Sequence, residues 1–130
     1  QSGGQPLIKN PHFAARIARV EIELMAMSTT NLRVVSQAAA GQAPGAESSM
    51  LKIKGTVIRQ EINALTRSAA GTYAMPFASE ALEEGNDAEP VGPAYAAPAT
   101  AQYLNNRKLS IFGGSNEIQR TIITKAILEL

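Results

Sequence analysis

The residues with the strongest chemical signal form a Gly-Gly turn ahead of a helix near the end of the chain. The segment from Ile111 to Arg120 reads Ile-Phe-Gly-Gly-Ser-Asn-Glu-Ile-Gln-Arg. Two glycines bring backbone N–H groups close to a ligand, and a helix N-terminus attracts phosphate or a polarised oxygen. Ser115 is a good N-cap, and the carboxylate of Glu117 is favoured in the first turn. Because such turns are common between helices, the pattern alone leaves open a ligand site or a simple connection.

Other reactive residues lack the neighbours that catalysis requires. The lone histidine, His12, has no orienting partner nearby, so we expect a surface histidine at a helix start. Ser48 and Ser49 have no histidine or lysine that would activate a hydroxyl. The chain contains no HExxH, P-loop or GxGxxG pattern. Its acidic stretch at 80–89 lacks the alternation and central glycine of a calcium loop, so no metal site is predicted.

Composition narrows the class of protein. The chain has 130 residues, which is the size of one domain spanning residues 1–130. Its net charge of +1, from 12 basic and 11 acidic residues, argues against a nucleic-acid binder. It has no cysteine, and no apolar run approaches the roughly 18 residues of a membrane span. No signal peptide is visible at the start, and these features together fit a reducing, cytoplasmic compartment.

Four helices are predicted to position the Gly-Gly turn, in an all-α fold that is an antiparallel up-and-down four-helix bundle. The first begins at Asn10-Pro11, which suit an N-cap and first turn, and ends near Ala40. The second runs from about Ala46 to Ala70, with Gly71 as its stop. Gly55 lies inside it, where we expect a close helix–helix contact. The predicted core stripes are Phe13, Ile17, Val20, Leu24, Met27, Asn31 and Val34, in which Asn31 is a polar break, then Leu51, Ile58, Ile62, Leu65 and Ala69, which Lys54 interrupts.

The third and fourth helices are predicted at about Ala99 to Ile111 and Asn116 to Leu128. Their candidate core residues are Tyr103, Leu104 and Leu109, then Ile118, Ile122, Lys125 or Ala126, and Leu128 or Leu130. Residues 72–98 contain four prolines and are predicted to form a long loop, with room for one helical turn at 78–84. Such a loop is functional, lies on a partner, or is a solvated acidic insertion, and the insertion is favoured because long loops are often merely disordered.

The nine residues from Phe112 to Arg120 closely resemble the motif near the C-terminus of acyl-CoA dehydrogenases. Two further stretches agree in order: Gly4-Gln5-Pro6-Leu7 is similar to a segment that follows a helix in the family, and residues 48–56 resemble the start of a helix in bacterial members. The resemblance covers essentially the whole chain, as the C-terminal helical domain. It implies a longer full polypeptide that also has an N-terminal helical domain and a middle β-domain.

This resemblance implies α,β-dehydrogenation of an acyl-CoA thioester, in which a Glu carboxylate removes the α-proton and FAD takes the β-hydride. A backbone N–H of the motif stabilises the enolate in the family, and the matching position here is Gly113. The same position supplies the Glu base in many members. Since glycine cannot be a base, the base lies upstream of Gln1 or the protein is not a dehydrogenase. The implied substrate contacts are Phe112, Gly113 and Gly114.

The implied cofactor is FAD, contacted in two places. The motif residues that match the region near its ribityl and phosphate groups are Ser115, Asn116 and Glu117. A second family element, Gln-x-x-Gly-Gly, reaches the FAD of the neighbouring subunit and corresponds here to residues 67–71. Arg67 replaces Gln and Ala70 replaces the first Gly, whereas Gly71 retains the second. Arg67 either pairs with a pyrophosphate or is a surface arginine.

The resemblance also implies partners. We expect a homodimer or homotetramer built on the helical bundle, and an electron-transfer protein is a candidate acceptor. The isolated chain is expected to be inactive because it lacks the β-domain and the base. The alternative is a non-catalytic helical assembly or acyl-CoA-binding module, which the missing Glu and the altered residues 67–71 favour.

Overall fold

The computed structural model describes residues 4–76 and 91–128 together with residues 83, 85 and 89. In that part of the chain there are four α-helices and no β-strand, so the predicted all-α, four-helix class is confirmed. The α-helices are α1 (Pro11–Ala39), α2 (Glu47–Ala70), α3 (Ala96–Asn105) and α4 (Asn116–Leu128). Short 3-10 helices cover Leu7–Lys9, Gly71–Ala74 and Asn106–Ser110. By internal contacts the chain divides into two compact units, Gln1–Ala18 with Gln60–Arg107, and Arg19–Arg59 with Lys108–Leu130.

Local signals explain where α1 begins and where α1 and α2 end. The Oδ1 atom of Asn10 accepts hydrogen bonds from the backbone N–H groups of His12 and Phe13, at 3.0 and 3.2 Å. This is the N-cap that the sequence predicts, and His12 is exposed as expected. Gly41 lies two residues after the end of α1, and Gly71 directly follows α2. Their φ values of +80° and +59° fall in a region that favours glycine.

Helices α1 and α2 pack antiparallel. In the first unit, Arg16 forms an ion pair with Glu61 at 2.8 Å, and in the second unit Glu23 forms one with Lys54. Residue numbers rise along α1 as they fall along α2, which defines the antiparallel direction. The Sδ atom of Met27 lies 3.8 Å from where a Cβ would stand at Gly55, an ordinary van der Waals distance.

The predicted stripe on α1 is wrong at one apolar position. Val20 is buried, and Phe13, Ile17, Met27 and Val34 are half-buried, but Leu24 is exposed. Asn31, the polar break of the stripe, is also exposed. Glu23 and Thr30 are half-buried instead. The Glu23 side chain turns toward α2, where it accepts a hydrogen bond from Lys54. On α2 the predicted stripe is confirmed, with Ile58 and Leu65 buried and the others half-buried.

Small residues form the core of the first unit. Ala70 and Ala74 pack with Ala96 and Ala99 of α3, and the hydroxyl of Thr100 donates to the carbonyl of Ala74. These contacts correct the predicted third helix, which begins at Ala96 rather than Ala99 and ends at Asn105 rather than Ile111. Its earlier start includes Pro98, which a first turn accommodates because the N–H groups there have no intrahelical partner.

Two further core predictions are wrong. Residues 96, 99 and 103 share the inner face of α3, so Leu104 points away from it and is 62% exposed, whereas Tyr103 and Leu109 are half-buried. On α4, the predicted stripe residues Ile118, Ile122, Lys125, Ala126 and Leu128 are all exposed. Residue 130 and most of the turn predicted at 78–84 lie outside the described residues, and the predicted loop at 72–98 is replaced at its ends by the 3-10 helix and α3.

Candidate functional site

The Gly-Gly turn adopts a backbone conformation that favours glycine at both positions. Gly113 and Gly114 have φ of +67° and +82°. A Cβ at Gly114 would stand 2.6 Å from Nε2 of Gln119, whereas nothing lies within 4 Å of a Cβ position at Gly113. The Gln119 side chain is flexible and could move aside, so the positive φ is what favours glycine at Gly114. Gly113 leaves open space beside the backbone. Phe112 is 53% exposed, so its ring is accessible next to that space.

The N-terminus of α4 is capped by its own side chains. The Oγ atom of Ser115 accepts from the N–H of Ile118 at 3.4 Å, which is the predicted N-cap. The exposed carboxylate of Glu117 accepts hydrogen bonds from its own backbone N–H and from the hydroxyl of Ser115, and the positive charges of Arg120 and Lys52 also act on it. These interactions hold the pKa of Glu117 below its ordinary value, so its carboxylate is a weak base.

Asn116 anchors the start of α4 to α2. Its side chain is buried, and its Nδ2 donates to Oγ1 of Thr56 at 3.2 Å while its Oδ1 accepts from Nζ of Lys52 at 3.0 Å. The hydroxyl of Thr56 in turn donates to the carbonyl of Ile53 at 2.8 Å. The side chain of Asn116 is thus engaged in positioning the turn.

Sequence reasoning missed Lys52 and Thr56, although a signal for Thr56 exists. The buried polar residues Ser49, Thr56 and Asn63 recur every seven residues along α2, which places them on one helix face. Small polar residues at regular spacing inside an apolar pattern indicate buried hydrogen bonds to a neighbouring helix. For Lys52 the sequence offers no such signal, because residues 48–56 predict only the start of a helix.

Arg67 and Gly71 lie in the first unit. The exposed guanidinium of Arg67 stacks over the ring of Tyr103, with its Cζ 4.9 Å from the ring centroid. Arg107 contacts the same ring at 4.3 Å. In the described part of the chain no carboxylate pairs with Arg67.

Two cavities adjoin these residues. Arg67 and Gly71 help to line a cavity of about 240 Å³. A larger one of about 890 Å³ shares Ser68 and Gly71 and is lined also by Tyr73 and Tyr95. The chain thus presents an exposed cation and backbone groups beside open space.

Among the described residues, no group of three or more His, Asp or Glu is placed to hold a metal ion. None of the described helices combines the length and apolar character needed to cross a membrane.

Comparison with known proteins then identifies the family. The family model described as "Acyl-CoA dehydrogenase, C-terminal domain" matches residues 1–128. No curated protein and no solved structure shows significant similarity to the chain. The matched range covers nearly all of the 130 residues and includes the capped Gly-Gly turn. The chain therefore belongs to the acyl-CoA dehydrogenase family, as a C-terminal domain.

Proposed function

We propose that this chain supplies part of the FAD and substrate site, and part of the subunit interface, of an FAD-dependent acyl-CoA dehydrogenase. The reaction is the α,β-dehydrogenation of an acyl-CoA thioester. The observation that carries the proposal is the anchored turn in which Gly113 and Gly114 precede α4 with positive φ. Membership of the family supports the reaction class.

Gly113 is proposed to act on the thioester through its backbone. Removing a proton from the α-carbon develops negative charge on the thioester oxygen, and a fixed N–H donor stabilises that charge. The space beside Gly113 is open, and the bonds from Asn116 to Lys52 and Thr56 keep the turn in place. Phe112 and Gly114 complete the proposed substrate contacts.

The base is proposed to come from outside this chain. Gly113 occupies the position of the Glu base in many family members and has no side chain. Glu117 is a poor substitute because the hydrogen bonds from its backbone N–H and Ser115 lower its pKa, and a weaker base removes a carbon-bound proton less readily. The isolated chain is accordingly proposed to be inactive.

Two sets of residues suit two different parts of FAD. Ser115 and Glu117 offer a hydroxyl and a carboxylate at the start of α4, which suit the hydroxyl groups of a ribityl chain better than a phosphate. Arg67 offers an exposed guanidinium beside a cavity, and Gly71 adds backbone with no side chain; this pair suits a pyrophosphate. When bound, FAD supplies the acceptor for the β-hydride.

The alternative is a non-catalytic helical assembly or acyl-CoA-binding module. It is favoured by one specific observation, the glycine at the position of the base. In either case we propose a homodimer or homotetramer, since the predicted stripe of α4 is exposed and apolar faces of this kind are buried in assemblies. We also propose an electron-transfer acceptor protein, on the basis of the family, and a cytoplasmic location, on the basis of the cysteine-free composition.

The test is a pair of titrations of the purified chain, one with FAD and one with a short-chain acyl-CoA. Phe112→Ala removes the exposed ring beside the turn and should weaken acyl-CoA binding by roughly tenfold, because the loss of one apolar contact costs about 1.5 kcal/mol. Val57→Ala is the matched control, since Val57 is also 53% exposed but lies on α2. It removes a similar apolar surface outside the site and should bind like the wild type.

The titrations also separate the two functions. If FAD binds, Arg67→Gln should leave its affinity intact, because Gln is the family's residue at this position, and Arg67→Glu should weaken it. This result would support the dehydrogenase site. Binding of acyl-CoA without FAD would favour the module. Equal binding by Phe112→Ala and wild type would contradict the role proposed for the turn.

A further inference from the structure

A single tyrosine ring holds two arginine side chains beside the end of α2. The Cζ atom of Arg67 lies 4.9 Å from the centroid of the Tyr103 ring, and that of Arg107 lies 4.3 Å from the same centroid. Both distances are within the roughly 6 Å at which an aromatic ring attracts a guanidinium. The Nε atom of Arg107 also donates to the backbone carbonyl of Tyr103 at 3.3 Å. All three residues belong to the first unit, so their placement follows from the packing of that unit.

The packing of α3 fixes the position of the ring. Tyr103 is half-buried and lies on the face of α3 that packs against the end of α2 and the 3-10 helix after it. The small residues in contact there are Ala70, Ala74, Ala96 and Ala99. The hydroxyl of Thr100 adds a hydrogen bond to the carbonyl of Ala74. Arg67 lies in the last turn of α2, directly before this contact, so the ring stays beside it while α3 is docked.

Stacking on the ring prepares Arg67 to bind an anion. An exposed arginine side chain has many rotamers, and binding that orders it loses this freedom. The Tyr103 ring already restricts the side chain in the free protein, so less freedom remains to be lost. Stacking uses the flat face of the guanidinium, whereas its N–H groups lie at the edge. Those groups therefore still reach the oxygen atoms of a phosphate while the guanidinium lies on the ring.

We infer that Tyr103 is a positioning residue, which holds the guanidinium of Arg67 in place for a pyrophosphate in the cavity that Arg67 and Gly71 line. That cavity has a volume of about 240 Å³, which is room for several water molecules or a polyatomic anion. The positive charge of Arg107, held on the same ring, adds to the attraction of an anion. The inference rests on the proposed function, which assigns Arg67 to the pyrophosphate of FAD, and it adds the residue that orients Arg67.

The ring acts in this way only while residue 67 is an arginine. A glutamine amide carries no charge, so an aromatic ring attracts it much less than it attracts a guanidinium. Removing the Tyr103 ring should therefore weaken anion binding by the wild-type chain but not by an Arg67→Gln chain. A ring that only supported the fold would matter equally in both chains. The dependence on residue 67 thus separates a positioning role from a structural one.

The test is a double-mutant cycle in which the dissociation constant for ADP is measured by isothermal titration calorimetry of the purified chain. ADP carries a pyrophosphate without the flavin. Tyr103→Leu should weaken ADP binding by roughly fivefold, which is the effect of one exposed cation–π contact or of ordering one long side chain. Tyr103→Phe keeps an aromatic ring and should bind like the wild type. In the Arg67→Gln chain, Tyr103→Leu should change the dissociation constant by less than about twofold.

Two controls accompany the cycle. Leu104→Ala changes the next residue of α3, which is 62% exposed on the outer side of the helix, and should leave ADP binding unchanged. Circular dichroism checks that each variant retains its helices. Equal losses from Tyr103→Leu in the wild-type and Arg67→Gln chains would overturn the inference, because the ring would then act through the fold. A loss in Tyr103→Phe as large as that in Tyr103→Leu would also overturn it, because the effect would then belong to the hydroxyl group.

The FAD titration is read separately from the ADP cycle. ADP binding that follows the expected pattern in a chain that binds no FAD would support the inference while contradicting the cofactor part of the proposed function. FAD binding that Tyr103→Leu leaves unchanged would support the cofactor part and overturn the inference. Absence of ADP binding at millimolar concentration would overturn the inference as well, and FAD bound by the same chain would then have its pyrophosphate held elsewhere.

Discussion

The fit of Gly55 between α1 and α2 leads to a quantitative prediction about stability. A glycine inside a helix costs about 1 kcal/mol relative to alanine, through the entropy of the unfolded chain. A Cβ at Gly55 would meet only Sδ of Met27, at the ordinary distance of 3.8 Å. Gly55→Ala should therefore raise the free energy of unfolding by about 0.5–1 kcal/mol. For 130 residues this corresponds to a rise in Tm of about 2–4 °C.

The assay is urea denaturation followed by far-UV circular dichroism, at a protein concentration low enough to keep the chain monomeric. Gly41→Ala is the contrasting control. It adds the same methyl group into open space, but at a φ of +80°, so it should lower the free energy of unfolding by about 1 kcal/mol.

A loss of stability in Gly55→Ala would refute the reasoning, because it would mean that the two helices leave no room for a methyl group.

Two further predictions concern the anchor of the turn. Asn116→Ala should lower the free energy of unfolding by about 2 kcal/mol, because it removes a buried hydrogen-bonding group and leaves Thr56 and Lys52 without their partner; Asn116→Asp, which still accepts from Lys52, should lose less in the same urea assay. Since folding lowers the pKa of Glu117, its carboxylate stabilises the fold above the ordinary Glu pKa, and this contribution is lost as the pH falls through the lowered value. Glu117→Gln should thus be less stable than wild type at neutral pH and equal to it in acid, and a constant difference across a pH series would contradict this assignment.

The bounds of three helices were predictable because their signals are local. Asn10 and Pro11 begin α1, Gly41 and Gly71 follow α1 and α2, and Ser115 caps α4, so each boundary depends on residues within one turn. The predicted start of the third helix is wrong because Pro98 was assigned to the irregular segment before it. In a first turn the missing N–H has no consequence, and the contacts of Ala96 and Ala99 with Ala70 and Ala74 decide that the helix starts earlier.

The family was also readable from the sequence, through the segment from Phe112 to Arg120, because a nine-residue motif is specific without any knowledge of contacts. Its physical basis was only partly visible. Two adjacent glycines indicate a turn, but their positive φ values and the open space at Gly113 are properties of the folded backbone.

The sequence by itself therefore determined the helical class, most helix ends, and the segment that carries the family's chemistry. Only the tertiary structure decided which side chains face a neighbour. Leu24 and Leu104 have the character and approximate spacing of core residues, yet both are exposed, because a stripe read from one helix contains no information about its partner. Asn116 and Lys52 are 64 residues apart. Their hydrogen bond exists because α2 and α4 meet, and no local pattern specifies that contact.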